Sequence, residues 1–258
     1  MKVIILAGGL GTRIGEESVL RPKPLTEIGE KPILWHIMKI YSYYGFNDFV
    51  ICLGYKGYQI KEYFANYFLH ESDVTFDFSH GRKEMVHSHA AEPWKVTLVN
   101  TGIGTQTGGR IKRVKKYLEN QPFMLTYGDG LADVDVEKLL KYHQKHGKIA
   151  TITAVKPIGR FGALSIGSKS KVKKFQEKPE GDNSWISGGF FVFQPEVLDY
   201  IEDDNMLLEK KPMENLAKHG QLIAYKHGGF WQPMDTVRER NILEGLWNSG
   251  KAPWKVWE

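Results

Sequence analysis

The chain reads as a Rossmann-like α/β fold, a three-layer α/β/α arrangement around a mixed, mostly parallel central sheet with a small β-rich part. Three observations predict it. Short β-branched apolar runs alternate with segments of helical period. The first run, Lys2 to Ala7, passes directly into a glycine-rich turn, Gly8-Gly9-Leu10-Gly11. Apolar residues (41%) and charged residues (25%) stand at ordinary globular values over 258 residues, enough to bury a sizeable core.

The elements follow in order. Val3 to Ala7 is apolar throughout, as a strand buried on both faces must be. Ile33, Leu34, Ile37, Met38 and Tyr41 recur at helical spacing, with Pro32 suited to the first turn and Gly45 to the stop. A strand over 49–53 and a helix near 57–68 come next, then β-like alternation over 73–100 around a turn at His80-Gly81. A helix over about 109–118, a strand over 123–127, a helix over 135–146 and a strand over 149–155 restore the alternation. Strands separated by such helices imply right-handed crossovers. Residues 161–194 read as hairpins and strands, and Trp247, Trp254 and Trp257 as a tail docked on the body or on a neighbouring subunit. We treat 1–258 as a single domain, with a first part over 1–155 carrying the hairpin insertion at about 73–100, and a second part over 156–258.

Charge and cysteine usage narrow the function classes. The net charge is +5, but Lys and Arg interleave with Asp and Glu without a run of five like charges. An anionic small substrate explains that excess better than nucleic acid. No apolar stretch approaches the roughly 20 residues of a membrane span, so no membrane partner is expected. The single cysteine, Cys52, fits a reducing, cytoplasmic compartment and sits in a strand pattern as a core residue. His80, His87 and His89 suggest a solvated hairpin rather than zinc, since no cysteine lies nearby.

The chemistry begins at the glycine turn. Glycines let the backbone bring bare N–H groups against a ligand, and Arg13 and Lys23 add fixed positive charge beside them. A polyphosphate needs that combination. The turn is not a Walker A, because no Gly-Lys-Ser/Thr follows; a dinucleotide fingerprint would want an acidic residue where Pro22-Lys23-Pro24 stands. Asp129, between Gly128 and Gly130 after an apolar strand, is a hard oxygen ligand suited to Mg²⁺; the alternative is an Asp-Gly turn. Asp235 is a second candidate that can equally serve as a helix N-cap. Lys178, fixed by Pro179, is placed to hold a phosphate, and Glu177 to accept from sugar hydroxyls.

Taken together and in order, LAGGLGTR (6–13), RPKP (21–24) and FQEKP (175–179) resemble the signatures of the sugar-nucleotide pyrophosphorylases, or nucleotidyltransferases. TGGRIKRV (107–114), TYGDGLADVD (126–135), GRFGALSI (159–166), SGGFFVF (187–193), GFWQPMDT (229–236) and EGLWNSGKAPWKVWE (244–258) resemble the branch of that family that uses CTP and glucose 1-phosphate. The resemblance implies CDP-glucose and pyrophosphate as products, a place in dideoxyhexose and O-antigen synthesis, and a homohexamer. It leaves thymidylyl or uridylyl transfer to glucose 1-phosphate as the alternative. It makes 1–155 mainly the nucleotide half and 156–258 mainly the sugar-phosphate half, with the β-rich part serving sugar binding and oligomerisation. Combined with position, it assigns Leu6, Ala7, Gly8, Gly9, Gly11, Thr12, Thr105, Gly108, Gly109, Arg110 and Gly128 to the nucleotide. Arg13 and Lys23 are the catalytic cations, and Asp129 and Asp235 hold Mg²⁺. Gly162, Glu177, Lys178 and Gly189 take the sugar phosphate.

Overall fold

The computed structural model describes residues 1–9, 21–79, 81, 83–87, 91–157, 163–166, 172–176 and 185–258. Seven strands form the central sheet: β1 (Lys2–Ala7), β2 (Asp48–Leu53), β3 (Lys95–Asn100), β4 (Phe123–Tyr127), β5 (Ala150–Val155), β6 (Ile186–Phe193) and β7 (Leu222–Lys226). Their order is β3-β2-β1-β4-β6-β5-β7. β6 runs antiparallel to both its neighbours, β4 and β5, and every other pairing is parallel. The sheet is therefore mixed and mostly parallel, as the alternation predicts.

Strand alternation creates the three layers. Val3, Ile5 and Ala7 of β1 face one core with Phe49, Ile51 and Leu53 of β2, covered by α1 (Ile33–Tyr43) and α2 (Gly57–Ala65). Ile4, Leu6, Val50 and Cys52 face the opposite core, covered by α3 (Thr107–Arg113). α4 (Val136–His146) joins the first layer, α5 (Lys211–Lys218) the second, and α6 (Val237–Asn248) the first. Cys52 is fully buried, and burial pushes its thiol up to about 12, so it is a core residue and no nucleophile.

Four stretches differ from expectation. β3 belongs to the central sheet, so the hairpin insertion is only Val74–Asp77 paired with Lys83–Val86. β3 is the edge strand and only half-buried, which gives it the alternation of a free hairpin. The helix read at 57–68 breaks at Asn66 into α2 and a turn, Tyr67–His70. The helix read at 109–118 is α3 followed by a 3₁₀ turn, Lys115–Tyr117. Of the stretch 161–194, Ala163–Ile166 pairs antiparallel with Val172–Gln176, while β6 occupies the middle of the sheet.

The tail docks on the body. Trp254 is fully buried, stacked on Phe230 at 5.5 Å, and its indole donates to His36 Nδ1 at 3.4 Å. His36 Nε2 in turn donates to the Ile28 carbonyl at 2.8 Å, which fixes a neutral imidazole with no room for a second proton. Burial accordingly lowers His36 to about 4, and burial, helped by His146, lowers His143 to about 4. Both values lie below the unfolded value near 6.5, so protons bind the unfolded chain first as pH falls. Stability should be complete above pH 6.5 and drain away between 6.5 and 4, by about 3 kcal/mol for each histidine. Thermal melts from pH 7.5 to 4.5 check this; a loss that begins only below pH 5, where carboxylates titrate, overturns it. Among the described residues no helix is long and apolar enough to cross a membrane.

Candidate active site

In a sheet of this kind, ligands bind beyond the carboxyl ends of the strands. Those ends converge here on a cleft of about 500 Å³. The end of β1 and the turn after it contribute Leu6, Ala7, Gly8 and Gly9 to its lining, the end of β4 and the turn after it contribute Tyr127, Gly128 and Asp129, and the approach to α3 contributes Ile103 to Thr107. Lys23 and Asp235 complete it from opposite ends of the sequence.

The centre of the cleft is one cation held by two acids. Lys23 Nζ donates to Asp129 Oδ2 and to Asp235 Oδ1, both at 2.7 Å. The lysine side chain is 10% exposed, against 36% for Asp129 and 28% for Asp235. Burial works against the ammonium, but Asp129 and then Asp235 outweigh it, so the pKa of Lys23 lies above its ordinary value. Local structure explains each placement. Pro22 and Pro24 flank Lys23 in a 3₁₀ turn, Lys23–Leu25, which keeps the lysine off any regular helix. Gly128 lies so close to β1 that an added Cβ would come within 3.1 Å of the Leu6 carbonyl oxygen, which sets Asp129 against the glycine turn. Asp235 directly precedes the N-cap of α6, Thr236, whose capping box with Glu239 fixes the turn.

The glycine turn is held from behind. Arg110 is 4% exposed, and its guanidinium donates to the carbonyls of Gly8 (2.9 Å), Gly102 (2.8 Å), Leu53 (3.1 Å) and Ile103 (3.3 Å) and to Thr101 Oγ1 (2.7 Å). Burial draws its pKa below the ordinary arginine value. With the Gly8 carbonyl turned toward Arg110, the trans peptide directs the Gly9 N–H the opposite way. An added Cβ at Gly8 would meet Arg110 Nη1 at 2.2 Å, so only glycine fits. Arg110 thus lines the cleft while its donors brace the glycine turn.

Gly108 and Gly109 lie elsewhere. A Cβ on Gly108 would meet the Met206 carbonyl oxygen at 2.7 Å, and one on Gly109 the Asp204 Cα at 2.5 Å. They allow α3 to press against the 204–206 backbone. Gly189, at φ +78°, sits under the Tyr127 ring, where a Cβ would come within 2.7 Å. Gly11, Thr12, Arg13, Gly162, Glu177 and Lys178 lie outside the described residues. Sequence reasoning passed over Tyr127 and Glu209. Tyr127 donates to Glu209, and Thr107 Oγ1 donates to its other oxygen at 2.6 Å, tying β4 to α3 along the cleft wall. A phenol closing an otherwise apolar strand just before Gly-Asp-Gly is the signal for it.

Two carboxylates converging on one cation, with room for phosphate oxygens beside them, fit the donor set of Mg²⁺, which takes one or two carboxylates and completes its shell from phosphate and water. Among the described residues there is no cluster of three or more acids, histidines or cysteines to form an all-protein cage.

The nucleotidyl transferase family model matches residues 2–232. The chain is 58% identical to the glucose-1-phosphate cytidylyltransferase of Salmonella typhimurium, covering 100% of both chains. It is 46% identical to the probable glucose-1-phosphate cytidylyltransferase of Bacillus subtilis, again over the full length of both. Among solved structures it is similar to a putative glucose-1-phosphate thymidylyltransferase from Bacillus anthracis, with a TM-score of 0.71 at 18% identity, covering 95% of this chain and 94% of that one. It is also similar to UDP-glucose pyrophosphorylase complexed with UDP-glucose, with a TM-score of 0.70 at 15% identity, covering 96% and 98%. At those identities the structural likeness speaks for the fold alone. The family match over residues 2–232 and the two full-length relatives establish that the chain belongs to the nucleotidyl transferase family.

Proposed function

We propose that the protein transfers a cytidylyl group from CTP to α-D-glucose 1-phosphate, releasing pyrophosphate and forming CDP-glucose. The observation that carries this reading is the Lys23–Asp129–Asp235 centre facing the Gly8-Gly9 turn in one cleft. Full-length identity to the Salmonella enzyme supports cytosine over thymine or uracil.

The reaction joins two anions. A phosphomonoester has its second pKa near 6, so the sugar phosphate is already mostly dianionic at pH 7 and needs no general base. The obstacle is repulsion, about 4 kcal/mol for like unit charges at 4 Å and an effective dielectric of 20, with several charges involved. Catalysis is then charge neutralisation and in-line alignment of an oxygen of the sugar phosphate with the α-phosphorus. Lys23 sits where it meets the α-phosphate, whose charge grows in the transition state. The Gly8-Gly9 backbone cradles the triphosphate, and Arg110 keeps that backbone rigid. Asp129 and Asp235 would hold Mg²⁺, which supplies positive charge to the phosphate oxygens when bound. Arg13 we assign to the departing pyrophosphate, Lys178 to the sugar phosphate, and Glu177, Gly162 and Gly189 to the hexose. The same reading places the protein in the cytoplasm, as a homohexamer feeding dideoxyhexose synthesis for O-antigen.

The test is pyrophosphate release measured with ATP, GTP, CTP, UTP and thymidine triphosphate, each against a panel of sugar 1-phosphates. CTP with glucose 1-phosphate should exceed every other pair by at least about tenfold in kcat/KM. A thymidine or uridine triphosphate that matches CTP overturns the base assignment.

A further inference from the structure

We infer that Glu239 is a positioning residue for Asp235, setting the aim of the second carboxylate from inside helix α6. Glu239 is 7% exposed, and its Oε2 accepts from the Asp235 N–H at 2.7 Å and from the Thr236 N–H at 3.0 Å. A cap needs only one reach-back, to the N-cap residue itself, here Thr236. The bond to Asp235 is the additional one, and it pins the backbone of the residue whose carboxylate holds Lys23.

The same helix also holds a neighbour of the other partner. Glu244, five residues further along α6, accepts from the Gly29 N–H at 3.1 Å. Gly29, at φ +56°, closes the small hairpin that follows the Lys23–Leu25 turn, and the Trp247 indole fills the space a Cβ would need. One helix therefore fixes Asp235 and the hairpin next to the turn of Lys23, which lies 212 positions away in sequence. Groups that orient a metal-binding carboxylate typically alter affinity or activity 10- to 100-fold when removed.

The inference rests on the functional reading above, and its test separates the two. Binding of CTP without sugar phosphate is measured by calorimetry in Mg²⁺ and in EDTA, so that the ratio of the two dissociation constants reports how well the carboxylates are aimed. Glu239→Gln keeps the reach and loses the charge; Glu239→Asp keeps the charge and loses the reach. The Mg²⁺ enhancement should persist in Glu239→Gln and fall about 10-fold in Glu239→Asp and Glu239→Ala, with binding in EDTA unchanged. In Glu239→Asp and Glu239→Ala, kcat measured in Mg²⁺ should fall in parallel with that enhancement. Asp135→Ala, which removes the cap of α4 outside the cleft lining, is the control for a merely structural role. Should Glu239→Ala fail to fold, Glu239→Asp decides alone. An unchanged enhancement in Glu239→Asp overturns the inference, as does an equal loss in Asp135→Ala or in Glu239→Gln. A wild-type protein that shows the enhancement yet releases no pyrophosphate overturns the functional reading and leaves this one standing.

Discussion

Replacing Lys23 with alanine should lower kcat by about 10²- to 10³-fold, the loss expected when one preorganised donor to a charge-building transition state disappears. The ammonium bonds both Asp129 and Asp235, at 2.7 Å each, and its loss removes one cation from the centre of the cleft. KM for glucose 1-phosphate should move far less than kcat, since the lysine acts on charge that develops during reaction. The fold should survive: both carboxylates are about a third exposed, and water or a dissolved cation can take the place of the ammonium. Steady-state kinetics with a parallel melt check this, and near wild-type turnover in Lys23→Ala removes the lysine from the mechanism.

Asp129→Asn should lose about 10³-fold or more in Mg²⁺-dependent turnover at a cost in stability of about 1 kcal/mol or less. Asparagine keeps the shape and one oxygen but none of the charge that makes a carboxylate a strong ligand for a hard cation. Lys23 retains Asp235 in the variant, so no buried charge is orphaned. Raising Mg²⁺ should recover part of the rate, as expected when affinity rather than architecture is damaged. An Asp129→Asn protein as active as wild type at ordinary Mg²⁺ takes Asp129 out of the site.

The sequence disclosed these three residues because each carries a local mark: prolines on either side of Lys23, glycines on either side of Asp129, a helix start after Asp235. Their meeting in space follows from the layer logic of the fold, since strand ends in a largely parallel sheet share one edge. The sheet was legible where strands are buried on both faces, as Lys2–Ala7 and Phe123–Tyr127 are. It was not legible at Lys95–Asn100, whose half-burial at the edge imitates a free hairpin. Nor could local pattern reveal that Ile186–Phe193 enters the middle of the sheet in reverse, because pairing direction depends on the path of the connection and not on the strand's own residues. Arg110 shows a further limit. An arginine after two glycines reads as a ligand group, and its five acceptors, which brace the glycine turn, are a property of the folded chain alone. Glu239 is visible in sequence as a capping residue, but its bond to Asp235 is a property of the folded turn.

The lysine seated between two acids has one more consequence. A pair of neighbouring acids with nothing between them would push apart and strain the ends of β4 and α6 whenever magnesium ran short. Here the polypeptide supplies its own counter-ion, so chelation withdraws a reactant's partner without unsettling the scaffold. If the protein works with magnesium as proposed, scarcity of the metal would slow it and replenishment would restart it, with no refolding in between.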